Sequence, residues 1–353
     1  MVKRPTRKFR RINRDINLGA ALFLAAGLVY TCFAVYLYRP YFARFDRWQY
    51  LLTITAPAGS LGCYVLSRRW VAGFFESLFA GAAYGFGLFA LGFARFHPSA
   101  GILTAAVPWL FCPAAFCLKT KRQWLRHAGI PLSALPFLAI IFFFQAAERY
   151  HLYPIPIQIR LAPVDIISLL APYVAARRGM TLIGFYHVPA AALVIGIFML
   201  LAARRFGVIA IFVVGLVLVF CGPLFDVSPI AWLSIPLLCC SVLVGVGMQG
   251  LVRAGYSDRK WIMADVIIMG VLAIFMLLLA TKYFQFFLSL ADGYARLFID
   301  SAKMYMLGAV LLGILYVMVT AKLRLHQLWS WMFYIAVGLD IFLGARYVVD
   351  AIL

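Results

Sequence analysis

Residues 181–203 read TLIGFYHVPAAALVIGIFMLLAA and run directly into Arg204 and Arg205; this stretch decides the fold. His187 is its one ionisable side chain. A hydrocarbon layer of about 30 Å takes roughly 20 helical residues to cross at 1.5 Å each. Lipid offers the backbone no hydrogen-bond partner, so such a run must pair its amides internally as a helix. The arginine pair that follows ends the run at the level of the headgroups.

The same pattern recurs along the chain. Apolar runs at 16–37, 50–66, 71–93, 101–118, 130–147, 208–225, 230–252, 261–280, 304–320 and 328–343 bring the count to eleven. A further run at 163–176 follows the proline-broken stretch Tyr153, Pro154, Ile155, Pro156 and is short for a crossing. It reads as a re-entrant or broken segment, or as a twelfth span. The predicted fold class is therefore all-α: a polytopic helical integral membrane protein of about eleven transmembrane helices, or twelve if 163–176 crosses.

Composition agrees. Of 353 residues, 65% are hydrophobic and only 12% charged, about half the usual charged share of roughly 25%. Mean hydropathy is +0.96. A soluble enzyme, a disordered chain and a secreted disulfide scaffold are excluded as readings. Two parts are expected: a basic cytoplasmic tail at 1–15, and a single multi-pass bundle at 16–353. No connection is long enough for a soluble domain.

Orientation follows the distribution of Lys and Arg, which stay on the cytoplasmic side of short loops. Alternating from a cytoplasmic N-terminus, the first half places 13 basic residues inside against 6 outside. The distal loops divide 7 to 6 if 163–176 does not cross and 6 to 7 if it does, so charge alone leaves that choice open. The eleven-crossing assignment puts Arg253, Arg259 and Lys260 inside and the C-terminus outside. The formal net charge of +20 fits this topology and basic loops touching anionic lipid headgroups; no nucleic-acid partner is expected. The predicted localisation is a bacterial inner membrane.

Ionisable side chains inside a bilayer are costly, about 2.5–3.5 kcal/mol at mid-helix, so each needs a reason. The candidates are Glu76, His187, Asp265 and Asp340. Glu76 is read about two turns into its span, as a proton-exchanging carboxylate or a structural ion-pair partner. Asp265, one turn beyond Lys260 and Trp261, is read as interfacial and capping. Asp340 is the deepest acid. Arg346 and Asp350 can pair at i,i+4, leaving Asp340 to find another partner.

A second pattern lies at 282–303. Gln285, Ser289, Asp292, Arg296, Asp300 and Lys303 recur at intervals of 3 and 4, a polar stripe on one helix face. An amphipathic helix is expected there, flat on the outer leaflet or facing a cavity. The seven cysteines fall inside spans without metal-ligand spacing, and the five histidines do not form a facing pair at depth. Neither a metal nor a cofactor is expected.

Three functions remain. Many crossings, buried acids and intramembrane prolines suggest a transport or translocation component for a small or lipid-linked solute. The lack of motifs suits a non-catalytic membrane subunit of an envelope or electron-transfer complex, with protein partners. A membrane-embedded transferase with a lipid-linked donor would need a headgroup-level site such as His151 with Glu148, Arg149 and Arg160, or Asp258 with Arg253, Arg259 and Lys260. Enzymatic activity is left open.

Overall fold

The computed structural model describes the backbone of residues 7–71, 73–94, 96, 98–118, 123–150, 160–202, 206–221, 224–281, 293–321 and 326–353, and their side chains apart from 7–18, 94, 125–126 and 326. Among these residues the regular structure is entirely helical. The helices are α1 (Arg7–Tyr38), α2 (Leu52–Ser67), α3 (Phe74–Gly85), α4 (Leu88–Ala94), α5 (Pro98–Leu118), α6 (Gln123–Leu132) and α7 (Leu135–Arg149). After them come α8 (Ile167–Leu170), α9 (Pro172–Arg177), α10 (His187–Ala202), α11 (Phe206–Phe220), α12 (Ser234–Val252), α13 (Arg259–Leu279), α14 (Gly293–Thr320) and α15 (His326–Ile352).

Nine helical stretches among the described residues are long and apolar enough to cross a membrane, and α10 and α11 are shorter apolar helices beside them. The outside of the bundle is greasy: Leu24, Phe142, Phe206, Phe220, Val271 and Ile274 are all largely exposed. A water-soluble monomer rarely exposes apolar patches beyond a few hundred Å². These are the length and composition of a multi-pass membrane protein. The most enclosed helix is α12, which packs against α3, α10 and α11.

Contacts between distant residues fix the direction of the helices. Tyr41, just beyond the end of α1, donates to Asp350 at the end of α15 (2.5 Å). Glu76 at the start of α3 accepts from Tyr334 near the start of α15 (2.8 Å). Therefore α15 starts at the face where α1 starts, here the tail face, and ends at the opposite, far face. Because α14 leads into α15 through a short connection, it runs from the far face to the tail face. Near the tail face, Phe198 of α10 meets Trp261 of α13 with ring centroids 4.8 Å apart.

The segment around 163–176 is not one helix. A 3-10 turn (Pro163–Ile166) and α8 descend into the bundle until the Leu170 carbonyl accepts from Tyr305 (2.9 Å). Tyr305 lies 12 residues into α14, about 18 Å from its start. The chain reverses at Ala171, and α9 climbs back until Arg177 reaches the Gly293 carbonyl at the head of α14 (3.4 Å). Gly179, at φ 68°, turns the chain a second time, a backbone conformation that costs glycine nothing. Residues 180–186 then run down extended beside α8, and α10 starts within the bundle. The segment is a hairpin of two short helical legs, followed by a helix that starts within the bundle.

One expectation needs correction. Glu76 is not two turns deep: α3 starts at Phe74, which puts Glu76 in its first turn. Of the amphipathic helix expected at 282–303, the part at 282–292 lies outside the described residues. Residues 293–303 are the first turns of the 28-residue α14, which continues to Thr320. The intramembrane run at 304–320 and the polar turns before it propagate as one helix because nothing between them breaks it. Gln285, Ser289 and Asp292 lie outside the described residues, as do His151 and the side chains of the N-terminal tail.

Candidate functional site

The extended segment 180–186 poses a problem of hydrogen-bond accounting, since buried backbone N–H groups outside a helix need other partners. Side chains supply them. Asp165 Oδ1 accepts from Thr181 N–H (3.1 Å), its Oδ2 from Ala162 N–H (2.8 Å), and Ser168 Oγ from Ile183 N–H (3.0 Å). Asp165 and Ser168 are both buried. They thereby tie the descending leg to the extended segment.

Where the extended segment meets α10, a second break faces it. α3 ends at Gly85 and α4 resumes at Leu88. In the gap, the Phe86 carbonyl accepts from the hydroxyl of buried Tyr186 (2.8 Å). The next residue, His187, opens α10. The first turn of any helix leaves N–H groups unpaired and carries positive potential. Here the carboxylate that answers it comes from another helix: Asp340 Oδ2 accepts from Val188 N–H at 2.6 Å, and Asp340 Oδ1 lies 3.3 Å from His187 Nδ1. Both side chains have 0% exposure.

The imidazole is enclosed by rings. Tyr173 of α9 meets it edge-on at 5.1 Å between centroids and Tyr305 of α14 at 4.7 Å, while Tyr173 also touches Tyr347 of α15 at 4.9 Å. With Asp340 ionised, Nδ1 carries the hydrogen and donates it to Oδ1, which leaves a lone pair on Nε2. Nε2 has no hydrogen-bond partner among the described residues. Chemically, the arrangement is a carboxylate-oriented imidazole at a helix N-terminus, with a basic nitrogen left over. Among the described residues no group of His, Cys, Asp and Glu could hold a metal ion.

Of the four candidates, two are therefore brought together, His187 and Asp340, and two stand apart. Glu76 folds back over the N-terminus of α3: a Cβ on its N-cap residue Gly73 would overlap the Glu76 carboxylate. This favourable helix-dipole position, closed off by Tyr334, gives Glu76 a structural account. Glu76→Gln preserves an acceptor for Tyr334 and is expected to leave thermal stability in detergent nearly unchanged. Glu76→Ala orphans the tyrosine and should cost about 1–3 kcal/mol.

Asp265 does not cap its helix. It is the seventh residue of α13 with 0% exposure, and neither carboxylate oxygen has a partner among the described residues. The capping expectation fails because α13 starts at Arg259, so the 3-10 turn before it and its own first residues occupy the surface. Asp258 precedes α13, and its carboxylate closes the 3-10 turn Tyr256–Asp258 by accepting from Gly255 N–H (2.9 Å). A buried polar group without a partner costs about 1–3 kcal/mol. Asp265→Leu is accordingly expected to raise the unfolding temperature in detergent; a fall would mean that the carboxylate is paired in the folded protein. In the stripe, Arg296 is exposed, and Asp300 is paired with Lys303 at the exposed surface (3.0 Å).

Sequence reading missed Asp165, Ser168, Tyr173, Tyr186 and Tyr305. Asp165 carried a usable signal: an acid two residues after Pro163, within an otherwise apolar run. The tyrosines carried none, because only the fold shows that they converge. No family model, curated protein or solved structure matches the chain.

Proposed function

We propose that this protein is a transport or translocation component for a small or lipid-linked solute, spanning a bacterial inner membrane eleven times. In this reading the nine long helical stretches and the two crossings that contain α10 and α11 make the eleven; the hairpin at 163–177 enters and leaves on one face. The basic tail lies in the cytoplasm, which makes the far face external, along with the C-terminus. The positive-inside rule supports this orientation.

One observation carries the functional reading: two interrupted helices meet in the interior of the bundle at a buried ionisable pair. Broken backbone is tolerated at membrane depth only where protein buries it or a cavity needs it. Interrupted helices that present free carbonyls and helix ends to a central site are a recurrent device of membrane transporters. A scaffold subunit has no need of either. The headgroup-level transferase sites gain no comparable support, since Asp258 is used in a turn and Arg259 donates to Tyr256 beside it.

The test is reconstitution of the purified chain in liposomes, with fluorescent headgroup-labelled lipids and small organic and inorganic ions as probes, under imposed proton and sodium gradients. Movement of at least one probe is expected with the wild type, together with its loss in a folded Asp340→Asn variant. Absence of movement for all probes under all gradients would overturn the proposal.

A further inference from the structure

The proposed translocation role leaves the ligand of the central pair unspecified, and the geometry narrows it. Neither His187 nor Asp340 has any surface that a water-sized sphere can touch. The larger of the two cavities described, of about 130 Å³, lies elsewhere, between Tyr38, Gln49, Pro98 and Ile352 at the far face. In this conformation there is no room beside the imidazole for an organic solute or a hydrated ion. There is a lone pair without a partner. An ionised Asp340 beside a neutral His187 also leaves one negative charge in a dry site, offset only by the N-terminus of α10.

The groups that face the pair from each neighbouring element are few. They are Tyr173 on α9, Tyr186 on the extended segment, Tyr305 on α14 and Tyr347 on α15, with Asp300 and Lys303 farther along α14. No cation among them touches Asp340. A proton on Nε2 makes the pair neutral overall without adding volume. Exposure is graded toward one side only: Tyr173 is buried at 7%, Tyr347 and Tyr294 are half-buried, and Arg177 and Arg178, stacked near Tyr294 at 5.2 and 5.5 Å from its ring, are exposed. Toward the tail face, His187 is followed by the apolar α10, whose next residues Val188, Ala191 and Ala192 are fully buried.

We propose that His187 and Asp340 form a reversible one-proton site reached from the far face along Tyr347 and Tyr173. This deepens the translocation reading, on which its purpose rests, by making the proton the coupling ion. The step balances simply: a proton from water adds to the Nε2 lone pair, giving an imidazolium–carboxylate pair, and the reverse returns it. No bond other than N–H forms or breaks.

The experiment is histidine side-chain NMR on the purified, full-length, 15N-histidine-labelled protein in detergent, with His187→Gln to assign the resonance. The wild-type His187 signal is expected to move reversibly between the neutral and the protonated imidazole position as pH is varied. Asp340→Asn should displace the midpoint of that change by at least tenfold in proton concentration. Tyr173→Phe should slow exchange at least threefold with an unchanged midpoint. A His187 signal constant as pH is varied, a midpoint indifferent to Asp340→Asn, or an exchange rate indifferent to Tyr173→Phe would overturn the proposal. Should Asp340→Asn fail to fold, the wild-type titration and the Tyr173→Phe exchange rate still decide. Titration in a protein that moves no solute would sink the translocation reading alone; flux with a silent pair would sink this one alone.

Discussion

Asp340→Ala is expected to destabilise the protein by about 3–5 kcal/mol, the range observed when one partner of a buried ionic or strongly hydrogen-bonded pair is removed. The loss has three parts. Val188 N–H, at the head of α10, loses its 2.6 Å acceptor. His187 loses the group that orients its Nδ1. A cavity opens in a place with no water to fill it. Asp340→Asn keeps the shape and one acceptor oxygen, so Val188 N–H can stay satisfied and the loss should be roughly half as large. Leu343→Ala, one turn on and half exposed at 50%, serves as the control and should cost under about 1 kcal/mol. Equal effects of Asp340→Ala and Leu343→Ala on unfolding in detergent would mean that Asp340 does not hold the start of α10.

The second large effect concerns Gly247. At the crossing of α10 and α12, a Cβ on Gly247 would overlap the Ala192 carbonyl, which is backbone and cannot rotate away. Gly247→Val must push the two helices apart along one of the most extensive contacts in the bundle. Overpacking commonly costs 1–3 kcal/mol and more where backbone is the obstacle, so a loss above about 3 kcal/mol and little recoverable folded protein are expected. Gly250 gives the contrast within the same helix. Its Cβ would come closest to the Met199 sulfur at 2.6 Å, in a flexible side chain, with Ile195 Cγ2 at an ordinary contact of 3.4 Å. Gly250→Ala should thus be recovered at near wild-type levels by size-exclusion chromatography, and similar losses for both variants would refute the assignment of the crossing.

The sequence made the repetition of apolar helices legible because a bilayer imposes one length and one composition on every span, and 181–203 shows both. It also flagged Asp340 and His187 separately, through the cost of burying an ionisable group. Their pairing was not legible: 153 positions separate them, and helical periodicity holds no information about which helix faces which. Asp265 and Glu76 show the complementary failure. Depth was inferred from the start of the apolar run, whereas α3 starts three residues later, at Phe74, and α13 two residues earlier, at Arg259. Shifts of this size exchange a buried position for a capping one. Of the stripe at 282–303, residues 293–303 form the first turns of α14, and periodicity is blind to how far a helix continues beyond its polar turns.

The contact between α10 and Asp340 also sets an order of events during synthesis. The head of α10 leaves the ribosome about 150 residues before its acceptor is made, a wait of roughly 10–30 s at ordinary rates of elongation. Tyr305 and Gly293, which seat the descending and ascending legs, arrive more than 100 residues after those legs. The middle of the chain must therefore wait half-assembled, its extended segment held by Asp165 and Ser168, until the last two helices insert and close it. A ribosome stalled before α15 would hold a chain whose outer helices are in place and whose centre is not.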